Sequence, residues 1–194
     1  MHDHAPLSPD RARRLADPRR LETQLSEQDL ARLLALRGDE DVVDLGSGAG
    51  FYTDRIAGLT TGIVYAVDIQ PEMHEVYRSR GVPANVRLVV GDVTRLEFAA
   101  ASLDLACSVS TWHETGGVID LAGLARALRP AGRLVIVDWR KEPDSAEGGP
   151  PLDIRSGKEE VAGSLAPYFR AVSAEDLGRF MFAVVATRVD LPGE

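Results

Sequence analysis

The sequence predicts an α/β fold on a mostly parallel sheet, and three observations carry that prediction. Five short apolar runs, Val42–Leu45, Ile63–Val67, Val86–Val90, Leu103–Val109 and Leu134–Val137, alternate with helical candidates. The runs at 42–45, 63–67 and 134–137 are apolar at nearly every position, the pattern of strands covered on both faces. Two later runs, Phe169–Leu177 and Phe180–Thr187, are separated only by a turn at Gly178, so they must pair antiparallel.

Each element has a local justification. Met1 to about Pro9 lacks periodicity and is expected to fray, and Asp10–Ala16 has room for two helical turns before Pro18. Ser26 and Asp29 form a capping box ahead of Leu30, Leu33 and Leu34, with Gly38 at the expected left-handed end of that helix. Residues 1–40 are therefore read as an N-terminal helical cap segment and 41–194 as the domain proper. Phe51–Leu59, Pro71–Arg80 and Val118–Leu128 are the helices between strands, and the stretch between the third and fourth runs is expected to be mostly loop. A further helix is expected around Glu159–Pro167.

Composition narrows the function. A chain of 194 residues points to one domain, and 44% hydrophobic with 27% charged residues allows a packed core. The net charge of −8, with 22 Lys+Arg against 30 Asp+Glu, argues against a broad nucleic-acid or anionic-membrane face. Cys107 alone permits no internal disulfide and no cysteine-built metal cluster. No apolar stretch reaches the roughly 20 residues of a membrane span and no leader pattern is evident, so a cytoplasmic location is expected. His2 and His4 flank Asp3 at the frayed start and are not read as a metal site; His74 is expected to be exposed.

The segment Val42-Val43-Asp44-Leu45-Gly46-Ser47-Gly48-Ala49-Gly50 leaves a buried strand, turns on three glycines and enters a helix. Glycine serves where the backbone takes positive φ or closely approaches a ligand. Phe51 stands where a dinucleotide fingerprint wants its last glycine, and no Gly-Lys-Ser/Thr ending marks a P-loop. Asp68 ends the second strand and Asp92 follows the third, so three neighbouring strand ends present acidic or glycine-rich tips to one crevice.

These residues together resemble the class I S-adenosylmethionine-dependent methyltransferases. Leu96-Glu97-Phe98, Ser102-Leu103-Asp104-Leu105 and the Leu128-Arg129-Pro130-Ala131-Gly132 turn agree with the resemblance, which is good from about Val42 to Trp139. It implies a doubly wound, three-layer α/β/α, Rossmann-like sheet of seven strands in the order 3-2-1-4-5-7-6, with strand 7 antiparallel. It implies S-adenosyl-L-methionine as cofactor and S-adenosyl-L-homocysteine as product. The implied cofactor residues are Asp44, Gly46, Ser47, Gly48, Gly50, Tyr52, Asp68, Ile69, Asp92, Val93 and Ser108. The excess positive charge of the cofactor suits three aspartates.

The end of the fourth strand, Ser108-Val109-Ser110-Thr111-Trp112-His113-Glu114, should lie nearest the transferred methyl. It lacks the Asn/Asp-Pro-Pro-Tyr/Phe pattern of adenine and amide nitrogen methylation. His113 is the candidate base and Glu114 its orienting partner or a site for a cationic substrate; the alternative is that both simply begin the next helix. The expected reaction is direct in-line methyl transfer to a small-molecule acceptor, with no metal, no nucleic acid and no membrane partner, by a monomer or homodimer. The Glu142–Gly157 loop is a candidate cover for the acceptor pocket, with Arg140, Lys141 and Arg155 either holding an anionic substrate or solvated. A catalytically silent S-adenosylmethionine-binding or partner subunit is the alternative, and a nicotinamide oxidoreductase is disfavoured by the glycine spacing.

Overall fold

The structure, a computed structural model, describes residues 15–147 and 149–190. Seven strands form one sheet: β1 (Val42–Leu45), β2 (Val64–Asp68), β3 (Val86–Val90), β4 (Leu103–Val109), β5 (Leu128–Trp139), β6 (Phe169–Leu177) and β7 (Met181–Arg188). Their order is β3-β2-β1-β4-β5-β7-β6, with β7 antiparallel to β5 and to β6 and the other pairs parallel. The chain reverses direction across the sheet between β1 and β4, which opens a crevice at their carboxyl ends.

Among the described residues the helices are α1 (Arg20–Thr23), α2 (Glu27–Leu34), α3 (Thr53–Ala57), α4 (Pro71–Arg80), α5 (Leu121–Ala127) and α6 (Lys158–Ser164). Neighbouring strand residues feed opposite faces. Val42, Leu105 and Val135 pack with Leu30, Ile56 and Tyr77 of α2, α3 and α4, whereas Val43, Ala106 and Leu134 pack with Leu124 and Val161 of α5 and α6. Burial on both faces is why these strands read as continuous apolar runs. No helix among the described residues is long and apolar enough to cross a membrane.

Local signals hold in most places. The Asp29 amide donates to the Ser26 hydroxyl at 3.0 Å, but the Asp29 carboxylate accepts from that same hydroxyl at 2.8 Å rather than from the Ser26 amide. The helix then ends at Leu34, with Ala35 (φ 41°) in the left-handed position expected of Gly38. The amides of Arg37, Gly38 and Asp39 instead wrap the Glu40 carboxylate. β5 begins at Leu128, earlier than its apolar core, because the Pro130–Gly132 turn is taken up as an irregularity in its register with β4. The expected helical turns at Asp10–Ala16 and the two histidines at the start lie outside the described residues, apart from positions 15 and 16.

Two expectations about charged groups are corrected. His74 is fully buried, since α4 turns it onto the sheet, and neither ring nitrogen finds a hydrogen-bond partner. Arg155 is 2% exposed and spends its guanidinium on the carbonyls of Pro150, Arg140 and Ser145. It pins the 142–157 loop to itself and is neither solvated nor presented to a substrate. Arg140 pairs with Glu142, Asp144 and Asp176, and Lys141 with Glu160.

Candidate active site

A cavity of about 400 Å³ opens at the carboxyl ends of β1, β2 and β4 and beside the loop after β3, within the size range of small-molecule sites. Its floor is the glycine loop. Gly46, Gly48 and Gly50 all have positive φ, at 76°, 55° and 85°. Their roles differ. A Cβ on Gly46 would strike the Thr111 side chain, and one on Gly50 would strike the Tyr77 ring, so both permit internal close packing. A Cβ on Gly48 would meet nothing within 4 Å and would enter the cleft itself.

The loop is braced on all sides. Gly46 and Ser47 amides donate to the Val67 carbonyl, and the Gly48 amide donates to Asp68 Oδ2 at 2.8 Å. Asp68 Oδ1 accepts from the Gln70 amide at 2.9 Å, so this carboxylate ties the β1 loop to the end of β2. From outside, Arg80 of α4 donates to the Ala49 carbonyl, and Tyr77 donates to Asp54 at 2.6 Å. Asp92 forms a tight turn by accepting from the Thr94 amide and hydroxyl.

Asp44 lies 2% exposed at the cavity wall. Burial pushes its carboxyl up to about 6; a 2.6 Å bond from the Thr53 hydroxyl and the nearby Arg20 work in the opposite direction, while the Asp68 charge adds to the rise. Cys107, packed against Asp44, has its thiol pushed well up by burial and stays protonated. Three hydroxyls on the wall, of Ser47, Tyr52 and Ser110, are buried with no hydrogen-bond partner. Buried polar atoms without partners are rare in folded proteins, so the cleft is equipped for a polar ligand.

Of the residues singled out from sequence, the cavity brings together Asp44, Gly46, Ser47, Gly48, Tyr52, Asp68, Ile69, Asp92, Val93 and Glu114. Gly50 stands behind the wall against Tyr77, and Ser108 is fully buried within β4. The hydroxyl that reaches the cavity from this strand end is Ser110, which follows β4 in a left-handed conformation (φ 59°). His113 is also absent from the wall. Its Nδ1 lies 2.7 Å from Asp138 Oδ1 on β5, whereas the next residue, Glu114, faces the cavity.

Sequence reasoning overlooked Arg20. It is 8% exposed, lies over the rings of Phe51 and Tyr52 at 4.9 and 4.8 Å, and lines the cavity with Leu15. Its guanidinium donates to Gln24 and to the Leu15 carbonyl, and it forms no ion pair among the described residues. The adjacent aromatic pair after Gly50 was the available signal, since such rings commonly stack on a cation.

A methyltransferase domain family matches residues 43–136. Among curated proteins the chain is similar to the O-methyltransferase cnsE of Penicillium expansum, 35% identical over 143 residues, covering 66% of this chain and 51% of that protein. It is similar also to the ubiquinone/menaquinone biosynthesis C-methyltransferase UbiE of Ectopseudomonas mendocina, 30% identical over 116 residues, covering 56% and 45%. The chain spans about half the length of these relatives. A solved S-adenosylmethionine-dependent methyltransferase from Aquifex aeolicus superposes with a TM-score of 0.81 at 26% identity, covering 95% of this chain and all of that one. With sheet order, glycine loop and family match in agreement, the chain carries a class I S-adenosylmethionine-dependent methyltransferase domain.

Proposed function

We propose that the protein transfers a methyl group from S-adenosyl-L-methionine to a small-molecule acceptor by direct in-line displacement, releasing S-adenosyl-L-homocysteine. The observation that carries this reading is the cavity wall itself, with Asp44, Asp68 and Asp92 near successive strand ends, three unpartnered hydroxyls and one buried cation, Arg20. When bound, the cofactor supplies a methyl carbon already activated by its sulfonium, so no metal or covalent intermediate is needed.

The protein's part is binding, alignment and exclusion of water. Asp68 is suited to accept from ribose hydroxyls, and Ile69, Asp92 and Val93 to flank the adenine. Asp44, the Gly46–Gly48 backbone, Ser47 and Tyr52 would receive the cationic amino-acid end. Arg20 offers that end's carboxylate a cation that burial has partly stripped of water. Gly50 and Ser108 contribute one layer back. Leu15, Phe51 and Met73 give the wall its apolar share. Glu114 is the ionisable group of the cavity wall on the β4 side, and it would face a cationic acceptor or an acceptor's proton there. A small acceptor is supported by the self-bonded 142–157 loop, whose carbonyls are taken up by Arg155.

Isothermal titration with S-adenosylmethionine, followed by isotope-labelled methyl transfer across a panel of small acceptors, tests the reading. It expects binding and label in at least one acceptor. No binding by the wild-type chain would refute it; tight binding without transfer to any acceptor would favour the silent-subunit alternative.

A further inference from the structure

The short 3₁₀ turn Trp112–Thr115 carries Glu114 and Thr115 into the cavity wall, directly after Thr111. It is fixed at three places. The Trp112 indole is buried in the core on the α5 and α6 side of the sheet. Gly116 and Gly117, at φ 63° and 79°, let the chain leave abruptly. Between these, Asp138 of β5 grips the turn from behind. Its Oδ1 lies 2.7 Å from His113 Nδ1, its Oδ2 accepts from the His113 amide at 3.4 Å, and the Trp139 amide also donates to Oδ1 at 2.7 Å. The side chains of His113 and Asp138 are 8% and 2% exposed.

We propose that Asp138 and His113 form a positioning clamp that seats this turn against the glycine loop, and that His113 serves the site through this grip and not as the base. The route from clamp to floor is short. The Thr111 side chain fills the space a Cβ on Gly46 would need, and its hydroxyl lies 3.4 Å from the Gly46 carbonyl. A turn that slips carries Thr111 with it and unseats Gly46. The grip is costly to break, because removing the imidazole leaves the buried Asp138 carboxylate with backbone amide donors alone, and removing the carboxylate takes its bond from the buried His113 ring.

This inference rests on the cofactor reading of the cleft, since cofactor affinity is the quantity measured. S-adenosylhomocysteine binding involves no methyl or proton transfer, so a base role for His113 predicts unchanged affinity in every His113 variant. The clamp predicts a distinct pattern. H113A should bind S-adenosylhomocysteine at least about fivefold more weakly in calorimetry. H113N should return to within about twofold of wild type, since the asparagine amide nitrogen stands near the place of Nδ1 and can donate to Asp138. H113Q sets its amide nearer the place of Nε2 and should stay weak, which keeps the comparison informative if H113A does not fold. Wild-type binding with H113N and H113Q equal to each other overturns the clamp alone. Absence of binding by the wild-type protein overturns the cofactor reading and this inference with it.

Discussion

Asp44→Asn separates the cost of the site from its use. Asp44 is buried and its carboxyl is pushed up to about 6 from the ordinary 3.8, principally by burial. A carboxyl whose folded pKa is raised favours folding below its unfolded value, and that advantage is lost as pH rises from about 4 through about 6. Above that window the ionised side chain costs the cofactor-free protein about 3 kcal/mol, taking about 1.4 kcal/mol per unit. Asparagine keeps an acceptor for the Thr53 hydroxyl and carries no charge. In urea unfolding without cofactor, the variant should therefore exceed wild type by roughly 2–3 kcal/mol at pH 8, with most of that gap gone near pH 4. Cofactor binding should move oppositely. A cationic ligand prefers ionised Asp44, so wild-type affinity should fall about tenfold from pH 7 to pH 5, and the variant should bind weakly with a flatter profile. An Asn variant no more stable than wild type at pH 8, or equally more stable at both pH values, would refute the assignment of a buried charge held for a ligand.

Three further outcomes follow from the same geometry. Asp68→Ala should weaken S-adenosylmethionine binding by about tenfold or more in calorimetry, as it removes both the proposed ribose acceptor and the bonds to the Gly48 and Gln70 amides. His74, whose pKa burial pulls below the ordinary 6.5, stabilises the fold as a neutral ring above that value and loses this contribution as pH falls below it. His74→Leu should therefore gain relative stability at pH 5 compared with pH 8 in thermal melts; an equal difference at both would count against a buried neutral ring. Arg155→Met should lower stability by about 2–4 kcal/mol by taking the donor from the Pro150 and Ser145 carbonyls, while the Arg140 carbonyl keeps the Ser145 hydroxyl, and limited proteolysis should cut within 142–157 faster than in wild type.

Much of the fold was legible in the sequence because its signals are local. Pro71 at the first turn and Gly81 after the last residue bracket α4, and its span agrees with the expected Pro71–Arg80. The unbroken apolar runs reveal a doubly covered sheet, and the short link at Gly178 requires the β6–β7 hairpin. Strand ends are equally readable, so Asp44, Asp68 and Asp92 could be set around one crevice without coordinates. Side-chain direction beyond a strand end could not. In the turn after β4, one residue's difference sends Glu114 to the cavity and His113 to Asp138, a partner 25 positions away. Arg155 and His74 were misjudged for the same reason, since only tertiary packing decides that one arginine bonds to carbonyls and one helix face turns inward. Arg20 ends the Asp17-Pro18-Arg19-Arg20 segment ahead of the core, and its place in the site is marked only by its position over Phe51 and Tyr52.

A crystal structure with S-adenosylhomocysteine tests the central claim most directly. It should place the ribose hydroxyls on Asp68, the adenine beside Ile69 and Val93, and the amino-acid end over Gly48 with its carboxylate toward Arg20. Density for the ligand elsewhere, or with its adenine over the glycine loop, would contradict the account.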